Sequence, residues 1–148
     1  MTSRTLRVPI VANHSVNHPS LPGKNDLEVI EEILGLERRY YEAFGRNMKY
    51  FRAPMGEYSE RVLAITWDLG YHSVFWSFAY RDWETDNQKG ADHAYNEIMP
   101  YLHNGCVLLL HAVSQDNALA LDRVIRDAKA QGYVFKTLDD LVESVYRP

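Results

Sequence analysis

The stretch Cys106-Val107-Leu108-Leu109-Leu110-His111 runs apolar for five residues and closes on an imidazole. A strand with one wet face alternates apolar and polar side chains, whereas an unbroken apolar run of this length reads as a fully buried strand of a parallel sheet. A helix follows, started by Asp116 or Asn117, with Leu121, Val124, Ile125 and Ala128 spaced to face inward and Gly132 as its stop. Strand and amphipathic helix together make one βα unit.

The same alternation extends in both directions. Upstream, Ala91, Ala94, Tyr95, Ile98, Met99 and Leu102 mark a helix closed near Gly105, preceded by the polar loop AYRDWETDNQKG and the strand HSVFWSF. Ser59 caps a helix carrying Val62, Ile65 and Leu69 and ended by Gly70, and MKYFRAP is a short strand running into a turn at Pro54. Asn25 caps a longer helix in which Leu27, Ile30, Ile33, Leu34, Tyr40, Tyr41 and Phe44 recur near helical period before Gly45, and VPIVAN is the first strand. Downstream, YVF reads as a strand and TLDDLVESV as a terminal helix in which Thr137 and Asp140 form a capping box. Five or six strands alternating with helices define an α/β fold built on a parallel sheet or barrel, and residues 1–148 make one domain.

Composition narrows the function. The 148 residues are 46% hydrophobic and 12% aromatic, enough for a packed core, and the formal charge of −4 offers no basic field for a nucleic-acid backbone. Cys106 is the only cysteine, which excludes an intrachain disulfide and a structural-zinc cysteine cluster. No apolar segment approaches the ~18 residues of a membrane span, and MTSRTLRVPIVAN holds too short an apolar patch for a signal-peptide core. We therefore expect no membrane span and no export signal in this chain.

In parallel α/β architectures sites are built at the carboxyl ends of strands, where His14, Arg52, Asp82 and His111 all fall. His14 and His18 stand four apart in NHSVNHP, a spacing that brings two imidazoles to one side of a helical turn, where they can share a metal ion. Surface histidines pair by chance at this spacing at least as often. His111 emerges from an apolar run, a setting suited to general acid-base work; a structural histidine at a strand end is the plainer alternative. Asp82, beside Trp83, can hydrogen-bond that imidazole or be an ordinary loop aspartate, and Arg52 can clamp a carboxylate or do nothing specific. Among many aromatics that serve packing, Tyr80 and Trp83 are the two placed at a groove.

Taken in order, HSVNHP, FRAPMGEYS, FWSFAYRDW and VLLLHAVSQDN resemble the second to fifth motifs of the polysaccharide deacetylases with a NodB homology domain, also called carbohydrate esterase family four. The resemblance runs from about Asn13 to Val145, and the wording of GEYSER, WSFAYRDW, NQKGAD and HAVSQDN is similar to the delta-lactam-biosynthetic deacetylases of spore-forming bacteria. It implies a distorted (β/α) barrel that removes N-acetyl groups from an amino sugar, N-acetylmuramic acid of peptidoglycan by the close wording, or chitin or another N-acetylated polymer. His14 and His18 would be metal ligands, for zinc first and cobalt, nickel or manganese as alternatives. His111 would be the general acid for the leaving amine, Asp82 its polarising partner and Arg52 the residue that orients the catalytic base. Leu108 and Leu110 would form the pocket for the acetyl methyl, with Trp83, Tyr80 and Pro54 on the substrate groove.

The family's base is an aspartate of a first, TFDDG-like motif, which also supplies the third metal ligand, and these residues contain no such motif. Ala79 stands where many members have the first aspartate of DxxDW, and Met55 where close relatives often carry a basic residue. The expectation is a partial barrel lacking its N-terminal strand or strands, with deacetylation impaired. A non-catalytic glycan- or metal-binding remnant and a homo-oligomer joined through an exposed sheet edge are the alternatives. Members of the family are exported to the cell envelope.

Overall fold

The structure, a computed structural model, describes residues 9–146. The chain divides into two compact units, Met1–Phe75 and Trp76–Pro148.

In the first unit, helix α1 spans Asp26–Phe44. It starts where expected because Asn25 Oδ1 accepts from the Glu28 backbone N–H while Glu28 returns a carboxylate oxygen to the Asn25 N–H, each at 3.0 Å. Gly45 ends it at φ +63°, donating to the Tyr41 carbonyl at 2.7 Å. The inward stripe is narrower than the periodicity suggests. Val29 and Ile33 are buried, whereas Leu27, Tyr41 and Phe44 stand exposed. Strand β1, Tyr50–Phe51, leads into a 3-10 turn at Pro54–Gly56, and helix α2, Glu60–Asp68, is capped by the Ser59 hydroxyl. Strand β2, His72–Ser73, pairs with β1 in parallel. Leu21, Val29, Ile33, Met48, Phe51, Ala53, Val62 and Tyr71 form the core of this unit.

The second unit repeats the scheme. Strand β3, Phe78–Ala79, pairs in parallel with β4, Leu108–Leu109. Helix α3, Ala91–Ile98, packs on α4, Gln115–Ala130, with Phe78, Ala94, Ile98, Ala120 and Val124 buried between the elements. Arg123 on α4 lies 3.7 Å over the Tyr95 ring of α3, whose hydroxyl donates to Asp127. Helix α5, Leu138–Tyr146, opens on the expected capping box, with Asp140 accepting from the Thr137 N–H at 2.8 Å and Thr137 Oγ1 accepting from the Asp140 N–H at 3.2 Å.

The α/β character and the parallel pairing agree with the sequence; the strands themselves differ. HSVFWSF is two strands, not one, because Val74 N–H bonds Phe51 while Ser77 N–H bonds Val107, so the segment changes partner midway. VPIVAN contributes only a parallel bridge from Asn13 to Phe51, and its Val8 lies outside the described residues. CVLLLH is half-buried rather than fully buried, with its strand confined to Leu108–Leu109. YVF is not a strand, since Tyr133–Phe135 has no ladder partner among the described residues, and Val134 and Phe135 are exposed. The cap of α4 is Ser114, whose hydroxyl accepts from the Asn117 N–H, so Asp116 and Asn117 lie inside the first turn and are buried.

Candidate functional site

Asn13 anchors the first group. Its backbone bridges the chain to β1, donating to the Tyr50 carbonyl at 2.8 Å and accepting from the Arg52 N–H at 2.9 Å. Its buried side chain donates to the Ile33 carbonyl of α1 at 2.8 Å and accepts from the Ser15 N–H at 2.9 Å, an Asx turn. Ser15 then takes φ +66° and His18 φ +56°, left-handed conformations that no helical turn contains. The histidines are therefore not paired on a helix as the spacing suggests. Side chains take the loop's N–H groups instead: Glu32 accepts from the backbone of Val16 at 3.1 Å and of Asn17 at 2.9 Å, and Ser15 Oγ from the His18 N–H at 3.0 Å. Burial would raise the Glu32 pKa, but the Asn17 and Val16 donors and the charge of Lys24 together hold it below the ordinary glutamate value.

The loop still brings the two rings together, 4.8 Å between centroids and close to perpendicular. His14 Nδ1 lies 2.7 Å from the Arg52 carbonyl. A carbonyl only accepts, so Nδ1 carries the proton and the lone pair resides on Nε2, the arrangement in which metal-binding histidines are usually held. Two imidazoles fall short of the three protein ligands usual at a catalytic metal, and among the described residues no group of three or more His, Cys, Asp or Glu is placed to hold an ion. The donor chemistry fits a divalent metal; the set is incomplete. Arg52 is half-buried, and burial lowers its guanidinium pKa. Pro54 is buried at the head of its turn, where Met55 adopts φ +57° and is exposed.

In the second unit, Asp82 is only 2% exposed. One carboxylate oxygen lies 2.6 Å from His111 Nδ1; the other accepts from the His111 backbone N–H at 2.7 Å and from Asn117 Nδ2 at 2.5 Å. An ionised carboxylate cannot donate, so His111 carries its proton on Nδ1 and has Nε2 as its second, chemically available nitrogen. A carboxylate on Nδ1 is the arrangement that can orient an imidazole for general acid-base work. Trp83 is half-exposed and meets the His111 ring edge to face at 5.6 Å. Tyr80 is partly buried against Phe78, and its hydroxyl donates to Asn117 Oδ1. Burial, with Asp82 and Asp116 nearby, pushes the Tyr80 pKa up to about 12. Leu108 and Leu110 pack on the core of this unit.

Each group is thus assembled within its own unit: His14, His18 and Arg52 in the first, Asp82, His111 and Trp83 in the second. Sequence reasoning missed Asn13, Glu32 and Asn117, which position them. Asn13 and Asn117 were visible only as a residue flanking a motif and as a helix start, and Glu32 sits on the polar side of α1, where a carboxylate gives no signal.

Arrangement and sequence agree on a class. The chain is similar to the polysaccharide deacetylases: a family model described as polysaccharide deacetylase matches residues 9–74. A curated relative is the peptidoglycan-N-acetylmuramic acid deacetylase PdaA of Bacillus subtilis, 45% identical over 134 residues that cover 90% of this chain and 51% of PdaA. The solved structure of B. subtilis PdaA, described as a family 4 carbohydrate esterase, matches with a TM-score of 0.87 at 44% identity, over 91% of this chain and 58% of that one. A family 4 pseudoenzyme from Bacillus anthracis matches with a TM-score of 0.81 at 25% identity, over 88% of this chain and 45% of that one. The chain therefore spans about half the length of the relatives it matches.

Proposed function

We propose that these residues are the metal-binding and acid-bearing part of a hydrolase that removes the N-acetyl group of N-acetylmuramic acid in peptidoglycan, in the delta-lactam pathway of the spore cortex. The observation that carries the reading is the buried Asp82 carboxylate on His111 Nδ1, in a chain 45% identical to a muramic acid deacetylase. The parallel strand pairs fit part of a distorted (β/α) barrel of the NodB type.

His14 and His18 would hold the metal, zinc or alternatively cobalt, nickel or manganese, since two imidazoles discriminate weakly among them. Such an ion supplies Lewis-acid polarisation of the amide carbonyl and a lowered pKa for water. The remaining roles belong to the chain. His111 Nε2 delivers the proton that the departing amine needs, and Asp82 stabilises the imidazolium that precedes transfer. Trp83 offers a half-exposed ring for the sugar face, with Tyr80 and Pro54 beside the groove, and Leu108 and Leu110 accommodate the acetyl methyl. Arg52 orients the base, which the 148 residues do not contain in TFDDG-like form.

Two imidazoles are one ligand short of a usual catalytic metal site and lack of a general base costs about 10²- to 10⁴-fold in rate, so the 148-residue polypeptide by itself binds zinc weakly and releases little acetate. Zinc calorimetry paired with acetate assay on peptidoglycan tests this. Turnover by this polypeptide at about 1–10³ per second, as in ordinary enzymes, would overturn the impairment. The similarity to a family 4 pseudoenzyme favours one further reading, a non-catalytic glycan- or metal-binding remnant that dimerises through an exposed sheet edge. That reading predicts glycan binding and a sedimentation mass near twice 17.2 kDa.

A further inference from the structure

We propose that Asn117 is a positioning residue which fixes the orientation of the Asp82 carboxylate against His111 and thereby keeps the imidazole in its Nδ1–H tautomer. The inference deepens the reading of His111 as the acid, but its test does not depend on that reading.

Asparagine in the first turn of a helix ordinarily serves the backbone or faces water. Asn117 does neither with its amide: it is 6% exposed and points at a carboxylate that is 2% exposed. Its Nδ2 donates to Asp82 Oδ2 at 2.5 Å, and that oxygen also accepts the His111 backbone N–H at 2.7 Å. With one oxygen held by two donors, the carboxylate plane cannot tilt without weakening both bonds, and the other oxygen is left facing the His111 ring at 2.6 Å. The direction of the amide is itself determined. The Asp82 carboxylate only accepts, so a flipped amide would set oxygen against it, and the Tyr80 hydroxyl donates to the Asn117 Oδ1 that then faces it. The residue is held in place by its own backbone N–H on the Ser114 cap at 3.2 Å, and Ser114 Oγ in turn donates to Gln88 Oε1 at 3.0 Å. Tyr80, Asn117, Asp82 and His111 therefore form one connected network inside the second unit, in which Tyr80 donates to Asn117 while Asn117 and His111 both donate to Asp82.

An isolated neutral imidazole favours the Nε2–H tautomer, in which the outward nitrogen already carries its proton before any acid is made. Holding the Nδ1–H form keeps Nε2 as the nitrogen that gains and delivers the mobile proton. If Asn117 does this, removing its donor while keeping a γ-branched side chain loosens the tautomer without emptying the site.

The experiment is nitrogen-15 NMR of the His111 ring in the 148-residue chain, at a pH where the imidazole is neutral, for the wild type, Asn117→Leu and Tyr80→Phe. The wild type should show an Nδ1–H ring. Asn117→Leu, folded by circular dichroism, should show the two tautomers in comparable amounts, and Tyr80→Phe, which removes the anchor on Asn117 Oδ1 and lets the amide swing away from Asp82, an intermediate shift. A folded Asn117→Leu chain with the wild-type Nδ1–H signal would overturn the proposal. Where Asn117→Leu does not fold, Tyr80→Phe decides, and an unchanged tautomer there overturns it. Absence of deacetylase activity moves none of these signals, so the two readings fail separately.

Discussion

Glu32 shows how one side chain shapes a site it does not enter. Its two oxygens accept from the Val16 and Asn17 backbone N–H groups and from the Asn17 side-chain amide. Glutamine at this position offers one acceptor oxygen in place of two, so Glu32→Gln should cost about 1–2 kcal/mol in urea denaturation at neutral pH. Because the folded pKa lies below the ordinary 4.5, Glu32 contributes stability that is full above that value and is lost as pH falls through the folded value. The wild-type curve should therefore drop on acidification below about pH 4.5, and Glu32→Gln should lack that part of the drop. At this scale the sequence displayed the candidate residues and hid their supports. His14, His18, Asp82 and His111 carry chemistry in their side-chain type, whereas Asn13, Glu32 and Asn117 act through hydrogen-bond direction, which only the folded backbone defines.

Helices were legible as elements because their ends are written in side chains. The capping box of α1 can be read from Asn25 and Glu28 alone, and Asn25→Ala should lower stability by about 1 kcal/mol, measured as a shift in the urea midpoint. Strands were less legible. Four pairs of residues make up the named strands among the described residues, and a two-residue strand has no period to detect. Gly35 connects an element to the site: a Cβ built there would stand 3.0 Å from Val16 Cγ2, in the loop that carries the histidines. Alanine brings about 0.8–1.0 kcal/mol of helix propensity to α1, offset by displacement of Val16. Gly35→Ala should thus leave the thermal midpoint nearly unchanged while zinc affinity, followed by calorimetry, falls about tenfold, as when a metal ligand loses its support.

For the whole molecule, the order of four motifs carried more information than any one of them, and it is the reason the class was legible before the geometry. What the order could not convey is that each pair is held by a tautomer-fixing acceptor, the Arg52 carbonyl for His14 and the Asp82 carboxylate for His111. The most direct test joins the preceding portion of B. subtilis PdaA to this chain and measures zinc-dependent acetate release from peptidoglycan, with and without His111→Ala. The account predicts that the joined protein turns over and that His111→Ala lowers the rate by about 10²- to 10⁴-fold. A folded, zinc-loaded joined protein whose rate is indifferent to His111 would contradict it.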